Sequence, residues 1–222
     1  MNVQTLMLRL ESDREIIEKA HLLRGFFATK FNEYVLLHQH QADEFIYSYP
    51  LIQYKMIDNI PTIIGINEGV EVLKEIYDGY DSLKLGEHEY RIFQREIIIK
   101  EQEFGISDKF HKYTLLTPWF ALNQKNFREY LDLNQKDKRE KLRKIMIGNI
   151  ITMSKGLGYV VDKEIKLDAE LRDVRSSFKG KEITAFKGNF IVNFEIPVLL
   201  GIGKSVSRGF GTIKRLEEPK SR

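Results

Sequence analysis

The chain shows the same order of hydrophobic patterns twice. Apolar and polar residues alternate from Val3 to Leu10, the period-2 signature of a half-buried strand. Ser12-Asp13-Arg14-Glu15 then has the hydroxyl and the glutamate three residues later of a capping box, which predicts an amphipathic helix through about Phe31. Phe45 to Ile57 and Thr62 to Ile66 read as strands on either side of the turn signal Asp58-Asn59-Ile60-Pro61, a predicted hairpin. Asn67-Glu68 caps a second helix through about Tyr77, with Val70, Leu73, Ile76 and Tyr77 on one face, and Tyr90 to Lys100 returns to strand. The order β-α-β-β-α-β is the split unit of ferredoxin-like folds.

The second half repeats this less regularly. Lys112 to Leu116 reads as a strand, Gln124 to about Met153 as helix with a break near Asp132 to Gln135, and at least three strands lie between Gly158 and Ile213. The expected class is α+β, with two tandem ferredoxin-like (RRM-like) domains packed together. The boundary falls between Gln102 and Asp108, where Gly105 and Ser107 interrupt the pattern, so the division is 1–104 and 105–222.

Charge separates the two halves. The formal net charge is only +3, but residues 1–111 carry 12 Lys and Arg against 19 Asp and Glu, a net of −7, and residues 112–222 carry 23 against 13, a net of +10. A one-sided positive field attracts a polyanion and raises its encounter rate. Lys136, Lys138, Arg139, Lys141, Arg143 and Lys144 form a basic helix face that either tracks phosphates or is simply solvated. With 222 residues and 42% hydrophobic content the chain has enough material for one large core or two smaller ones. There is no cysteine, which excludes disulfides, thiolate metal sites and cysteine nucleophiles. No leader pattern or membrane-length apolar run is evident, so a cytoplasmic location without membrane contact is expected.

The most specific motif lies near the C-terminus, in Gly201-Ile202-Gly203-Lys204-Ser205-Val206-Ser207-Arg208-Gly209-Phe210-Gly211. Glycine admits positive φ and close backbone approach, while Lys204, Ser205, Ser207, Arg208 and the loop amides are donors suited to phosphate oxygens. The strand-like run Phe190 to Leu200 precedes it and Thr212-Ile213-Lys214 follows, so the glycines join strands and do not open a nucleotide-binding P-loop. Phe210, apolar between two glycines, is expected in the core.

This loop resembles the signature of the CRISPR-associated repeat-processing endoribonucleases, members of the repeat-associated mysterious protein (RAMP) superfamily. The resemblance extends to Leu115-Leu116-Thr117-Pro118-Trp119-Phe120-Ala121-Leu122-Asn123 and to the two-half layout. It implies tandem ferredoxin-like units, RNA binding by Gly201, Gly203, Lys204, Ser205, Ser207, Arg208, Gly209 and Gly211, and metal-independent cleavage of CRISPR repeat RNA with no cofactor. CRISPR repeat RNA is the implied partner, with effector-complex proteins a further one; the chain would be a monomer or homodimer.

Candidate chemistry lies in Leu36-Leu37-His38-Gln39-His40. If that segment is extended, the two imidazoles point to one side, about 6–7 Å apart. Cleavage of RNA by its own 2′-hydroxyl needs a base for that proton and an acid for the departing 5′-oxygen, and imidazole suits both roles near pH 7. The family's catalytic histidine follows the first helix, so the resemblance assigns catalysis to His38 and His40 without deciding which is base and which acid. A metal site with Asp43 and Glu44, or a structural pair, are the other assignments. Tyr47 is a third catalytic candidate, with Tyr49 and Tyr54 sharing its strand pattern. His21 reads as a structural residue of the first helix. The alternative to an enzyme is a non-catalytic RNA-binding RAMP subunit that holds a guide RNA on the same loop.

Overall fold

A computed structural model describes residues 1–38, 40–41, 44–45 and 49–217, with backbone alone at 38, 40, 41, 44 and 45. The chain forms two compact units. One comprises Asn2–Glu103 with Val206–Gly209, the other Met1, Phe104–Ser205 and the chain from Phe210 onward.

The first unit runs β1 (Asn2–Ser12), α1 (Ala20–Lys30), α2 (Val35–His38), β2 (His40–Gln41), β3 (Glu44–Phe45), β4 (Ile52–Ile57), β5 (Ile60–Ile66), α3 (Glu68–Ile76), β6 (Ser82–Leu85) and β7 (His88–Glu103). Its antiparallel sheet has the order β4-β5-β1-β7-β6, and β2 and β3 pair separately. Leu6, Leu8 and Leu10 of β1 pack with Leu23 and Phe27 of α1 and Val70, Leu73 and Ile76 of α3 in one core. The strand order is that of a ferredoxin-like unit with β6 added at the edge.

The hairpin is tighter than expected. Ile57 pairs with Ile60, leaving only Asp58 and Asn59 in the turn, at φ of 51° and 62°. Asn and Asp tolerate that left-handed geometry, which two-residue hairpins of the primed type require. The strand expected over Phe45 to Ile57 is interrupted, since β3 ends at Phe45 and β4 begins at Ile52. Pro50, which has no N–H for a ladder, lies in the gap.

The capping box is overturned. Ser12 is the last residue of β1, and α1 begins only at Ala20, with no side-chain cap on Lys19. Tertiary bonds hold the intervening residues. Asp13 exchanges N–H and carboxylate bonds with Arg91, and Glu18 accepts from the Tyr90 hydroxyl at 2.6 Å and meets His88 Nδ1 at 2.6 Å. Ile16 is buried between them. Asn67 likewise precedes α3 without capping it, because its Oδ1 accepts from the Gln4 amide.

The second unit contains β8 (Gly105–Leu115), α4 (Gln124–Leu131), α5 (Gln135–Gly156), β9 (Leu167–Phe178), β10 (Lys181–Glu195) and β11 (Ile213–Arg215). The helical break comes where expected, between Leu131 and Gln135, because Asn134 accepts from the Asp137 amide and starts α5 afresh. Its sheet order, β11-β8-β10-β9, again follows the ferredoxin-like pattern. Trp119, Tyr113, Phe186, Phe190 and Phe194 are fully or nearly fully buried, with Met146 and Ile150 of α5. Both units are therefore ferredoxin-like, in tandem. Among the described residues no helix is long and apolar enough to cross a membrane.

Candidate functional site

The glycine-rich segment occupies the place of the second crossover helix in the second unit. Gly201 bridges Thr212 across the loop's neck, and only a 3₁₀ turn, Val206–Arg208, interrupts it. The segment Leu115–Asn123 forms its seat. Thr212 N–H donates to Thr117 Oγ1, Gly211 N–H to the Pro118 carbonyl and Lys204 N–H to the Phe120 carbonyl. Lys204 Nζ lies over the Phe120 ring, 5.6 Å from its centre, and burial pushes its ammonium pKa down. Phe210 packs against Phe120 and Phe178 but is only half-buried, and does not occupy the core as expected.

The glycines approach protein. At Gly203, with φ of 91°, an added Cβ would lie 2.5 Å from Trp119 Nε1, the indole nitrogen that donates to Asn149. At Gly209, with φ of 90°, it would lie 2.8 Å from Ala20 Cβ and 3.2 Å from the Tyr54 carbonyl oxygen. The close approach read from the sequence as room for phosphate is, at these two positions, room for Trp119, α1 and β4. Ser205 holds φ of 57°, a strained value for a residue with a Cβ.

Val206–Gly209 packs on α1 and β4 of the first unit. Arg208 thereby joins Lys19, His21 and Arg24 of the α1 region in one cationic cluster. Burial first, then the charges of Arg208 and Lys19, lower the His21 pKa; burial and Arg208 lower that of Arg24. Like charges held close together favour an incoming anion. His21 lies on α1, as expected, and is exposed in this cluster. Sequence reasoning missed the cluster, since its members are nearly two hundred residues apart.

The basic helix face is partly spent on its own neighbours. Lys141 pairs with Glu129 at 2.5 Å, and Glu140 takes Arg143 at 2.7 Å and Lys144 at 3.5 Å.

His38 ends α2 and His40 opens β2, so the two do not share the one extended segment on which the side-by-side geometry depended. Their side chains, with Asp43 and Tyr47, lie outside the described residues. Tyr54 ties this region to the loop, because its hydroxyl donates to the Leu37 carbonyl at 3.3 Å and its own carbonyl faces Gly209. Beside it on β4, Lys55 is fully buried and donates to Gln53 Oε1 at 3.0 Å; burial pushes its ammonium down to about 7. An amine that titrates near neutrality next to this region is a second feature invisible in the pattern.

Two antiparallel ferredoxin-like units thus follow one another, with a glycine-rich loop as the last crossover of the second. The chain matches the models of the Cas6b N-terminal domain over residues 1–103 and the Cas6b C-terminal domain over 105–216, and so belongs to the Cas6b family. A solved structure described as Cas6b is 37% identical at TM-score 0.90, covering 97% of this chain and 100% of that one. Another, described as the CRISPR RNA processing endoribonuclease Cas6b, is 34% identical at TM-score 0.78 over the same shares. An uncharacterized protein of Methanocaldococcus jannaschii is 42% identical over 145 residues, 65% of this chain and 99% of that protein. A Cas6-related protein of Pyrococcus furiosus, 14% identical at TM-score 0.58, shares the fold, covering 99% of each chain.

Proposed function

We propose that the chain is a CRISPR RNA-processing endoribonuclease that cuts precursor transcripts within the repeat, without a metal, in the cytoplasm as a monomer or homodimer. The 2′-oxygen preceding the cut attacks phosphorus, the P–O5′ bond breaks, and the products are a 5′-hydroxyl and a 2′,3′-cyclic phosphate. One imidazole of His38 and His40 takes the 2′-hydroxyl proton, the other protonates the departing 5′-oxygen, and Tyr47 orients an imidazole or the phosphate. Division of labour follows the two domains, 1–104 carrying the chemistry and 105–222 most of the positive charge. Arg208, with Lys19, His21 and Arg24, meets the RNA backbone, and Lys204, Ser205 and Ser207 extend that contact.

The end-to-end match to both Cas6b domains carries this reading. The cationic cluster supports it physically, because phosphate contacts supply affinity and register.

The test is cleavage of repeat RNA by purified protein in excess chelator. The expected result is an undiminished rate and a 5′-hydroxyl on the downstream fragment. A 2′-deoxy nucleotide before the cut should abolish cleavage and leave binding unchanged. Dependence on a divalent ion, or a 5′-phosphate product, overturns the mechanism.

A further inference from the structure

The second unit contains an irregularity that its fold does not require. Strand β8 pairs with β10 in register at His111↔Val192 and again at Ile106↔Phe194, so between those pairs residues 107–110 of β8 face Asn193 alone. Such bulges bend a strand and re-aim a side chain. This one is fixed from within. Ser107 Oγ accepts from the Lys109 amide at 3.1 Å and lies 2.8 Å from His111 Nε2. His111, buried, has its Nδ1 2.7 Å from Arg215 Nη2, and since a guanidinium only donates, Nδ1 accepts and Nε2 bears the proton. That proton points to Ser107 and to Glu195 Oε1 at 3.2 Å, and Glu195 Oε2 in turn accepts from Arg215 Nη1 at 2.8 Å.

The bulge leaves Phe110 51% exposed, in a cleft of about 730 Å³ that Lys109, Lys112, Ile191 and Arg215 also line, with Glu217 at its β11 end. Ile191, itself 39% exposed, is the direct cross-strand partner of Lys112, so the two share a face of the sheet. Charge across that face is graded. Lys112 and Lys214 lie exposed on β8 and β11, while Asp168, opposite Ile191 on β9, and the next outward residue, Glu170, are acidic. A flat apolar surface beside an anchored guanidinium and two lysines, bounded by carboxylates, fits a base with its phosphates on the β8–β11 side.

We propose that this cleft is a second RNA contact, which binds an unpaired nucleotide by stacking it on Phe110 while Lys112 and Lys214 meet the adjoining phosphates. Arg215, held by Glu195 and His111, closes the end of the cleft as a fixed cation. The inference rests on the RNA reading above but not on its chemistry, since none of these residues belongs to the cleavage machinery.

The experiment measures the affinity of the full chain for unpaired repeat RNA by fluorescence anisotropy across a salt series, beside its cleavage rate at saturating protein. Phe110→Ala should weaken binding about 10-fold, the scale of one base–aromatic stack, and Phe110→Tyr should restore it. Lys112→Ala should lower the salt slope by roughly one. Cleavage of bound RNA should be unchanged in all three, and thermal melts should coincide because Phe110 is half exposed. Parental affinity in Phe110→Ala, or equal weakening by Phe110→Ala and Phe110→Tyr, overturns the proposal while wild-type cleavage leaves the enzyme reading standing. Loss of RNA cleavage by wild-type protein would strike that reading alone, because this contact is judged by affinity.

Discussion

The two units share a strand order and part company at the second crossover. In the first, α3 joins β5 to the last two strands and buries Val70, Leu73 and Ile76 against β1, so the crossover is scaffold. In the second, β10 reaches β11 through the glycine loop, which buries Ile202 and Val206 but leaves Lys204, Ser205, Ser207 and Arg208 partly accessible. A helix satisfies its own backbone groups and needs only an apolar stripe; a loop must borrow partners, and here it borrows Pro118, Phe120 and Thr117. Giving up the helix leaves cationic side chains partly accessible, at the cost of glycines that tolerate no Cβ. The same substitution therefore means different things in the two crossovers.

The sharpest break between the units should come at the histidines. His38→Ala and His40→Ala are each expected to slow repeat cleavage about 10²–10⁴-fold, the usual scale of general acid or base catalysis, with binding within a few-fold of the parent. Single-turnover rates and filter binding check this, and full activity in the double variant would remove the chemistry from the first unit.

Within the loop, scaffold and ligand roles should separate. Gly203→Val meets Trp119 and an unfavourable φ together, so a loss of about 3 kcal/mol or more is expected, on the order of 10 °C in Tm. Arg208→Ala should leave the melt unchanged and weaken RNA binding several-fold with a shallower salt dependence. Equal melting of both variants would mean that the loop is all ligand surface and no scaffold.

The last expected effect is a pH dependence within the first unit. Lys55 has its ammonium pushed from the ordinary 10.5 to about 7 by burial, so the unfolded chain binds the extra proton between those values. Stability should rise as pH rises from about 7 toward 10, and be lowest below 7, where the folded state must bury the charge. Lys55→Met should flatten that rise in thermal melts recorded across the range; an unaltered slope would show that the amine is not buried charged at low pH.

Much of the fold was legible because periodicity reports burial directly. Leu6, Leu8 and Leu10, the α3 stripe and the break before Asn134 all carry local signals. The misread start of α1 shows where that ends. Ser12-Asp13-Arg14-Glu15 has the right letters for a cap, but Asp13 bonds to Arg91 and Glu18 to Tyr90, partners that no local window contains. β6 went unseen for a similar reason, since a four-residue strand has too little period to count.

By itself the sequence determined the class, the tandem arrangement, the charge asymmetry and the loop that marks the family, because each depends on residue types at short spacing. Only the tertiary structure decided what those residues touch. It turned Gly203 and Gly209 toward Trp119 and Ala20, brought Arg208 beside His21 and Arg24, buried Lys55, and threw Phe110 outward on a bulge anchored by His111, Glu195 and Arg215. These are long-range juxtapositions, and a one-dimensional pattern contains no term for the distance between residues far apart in the chain.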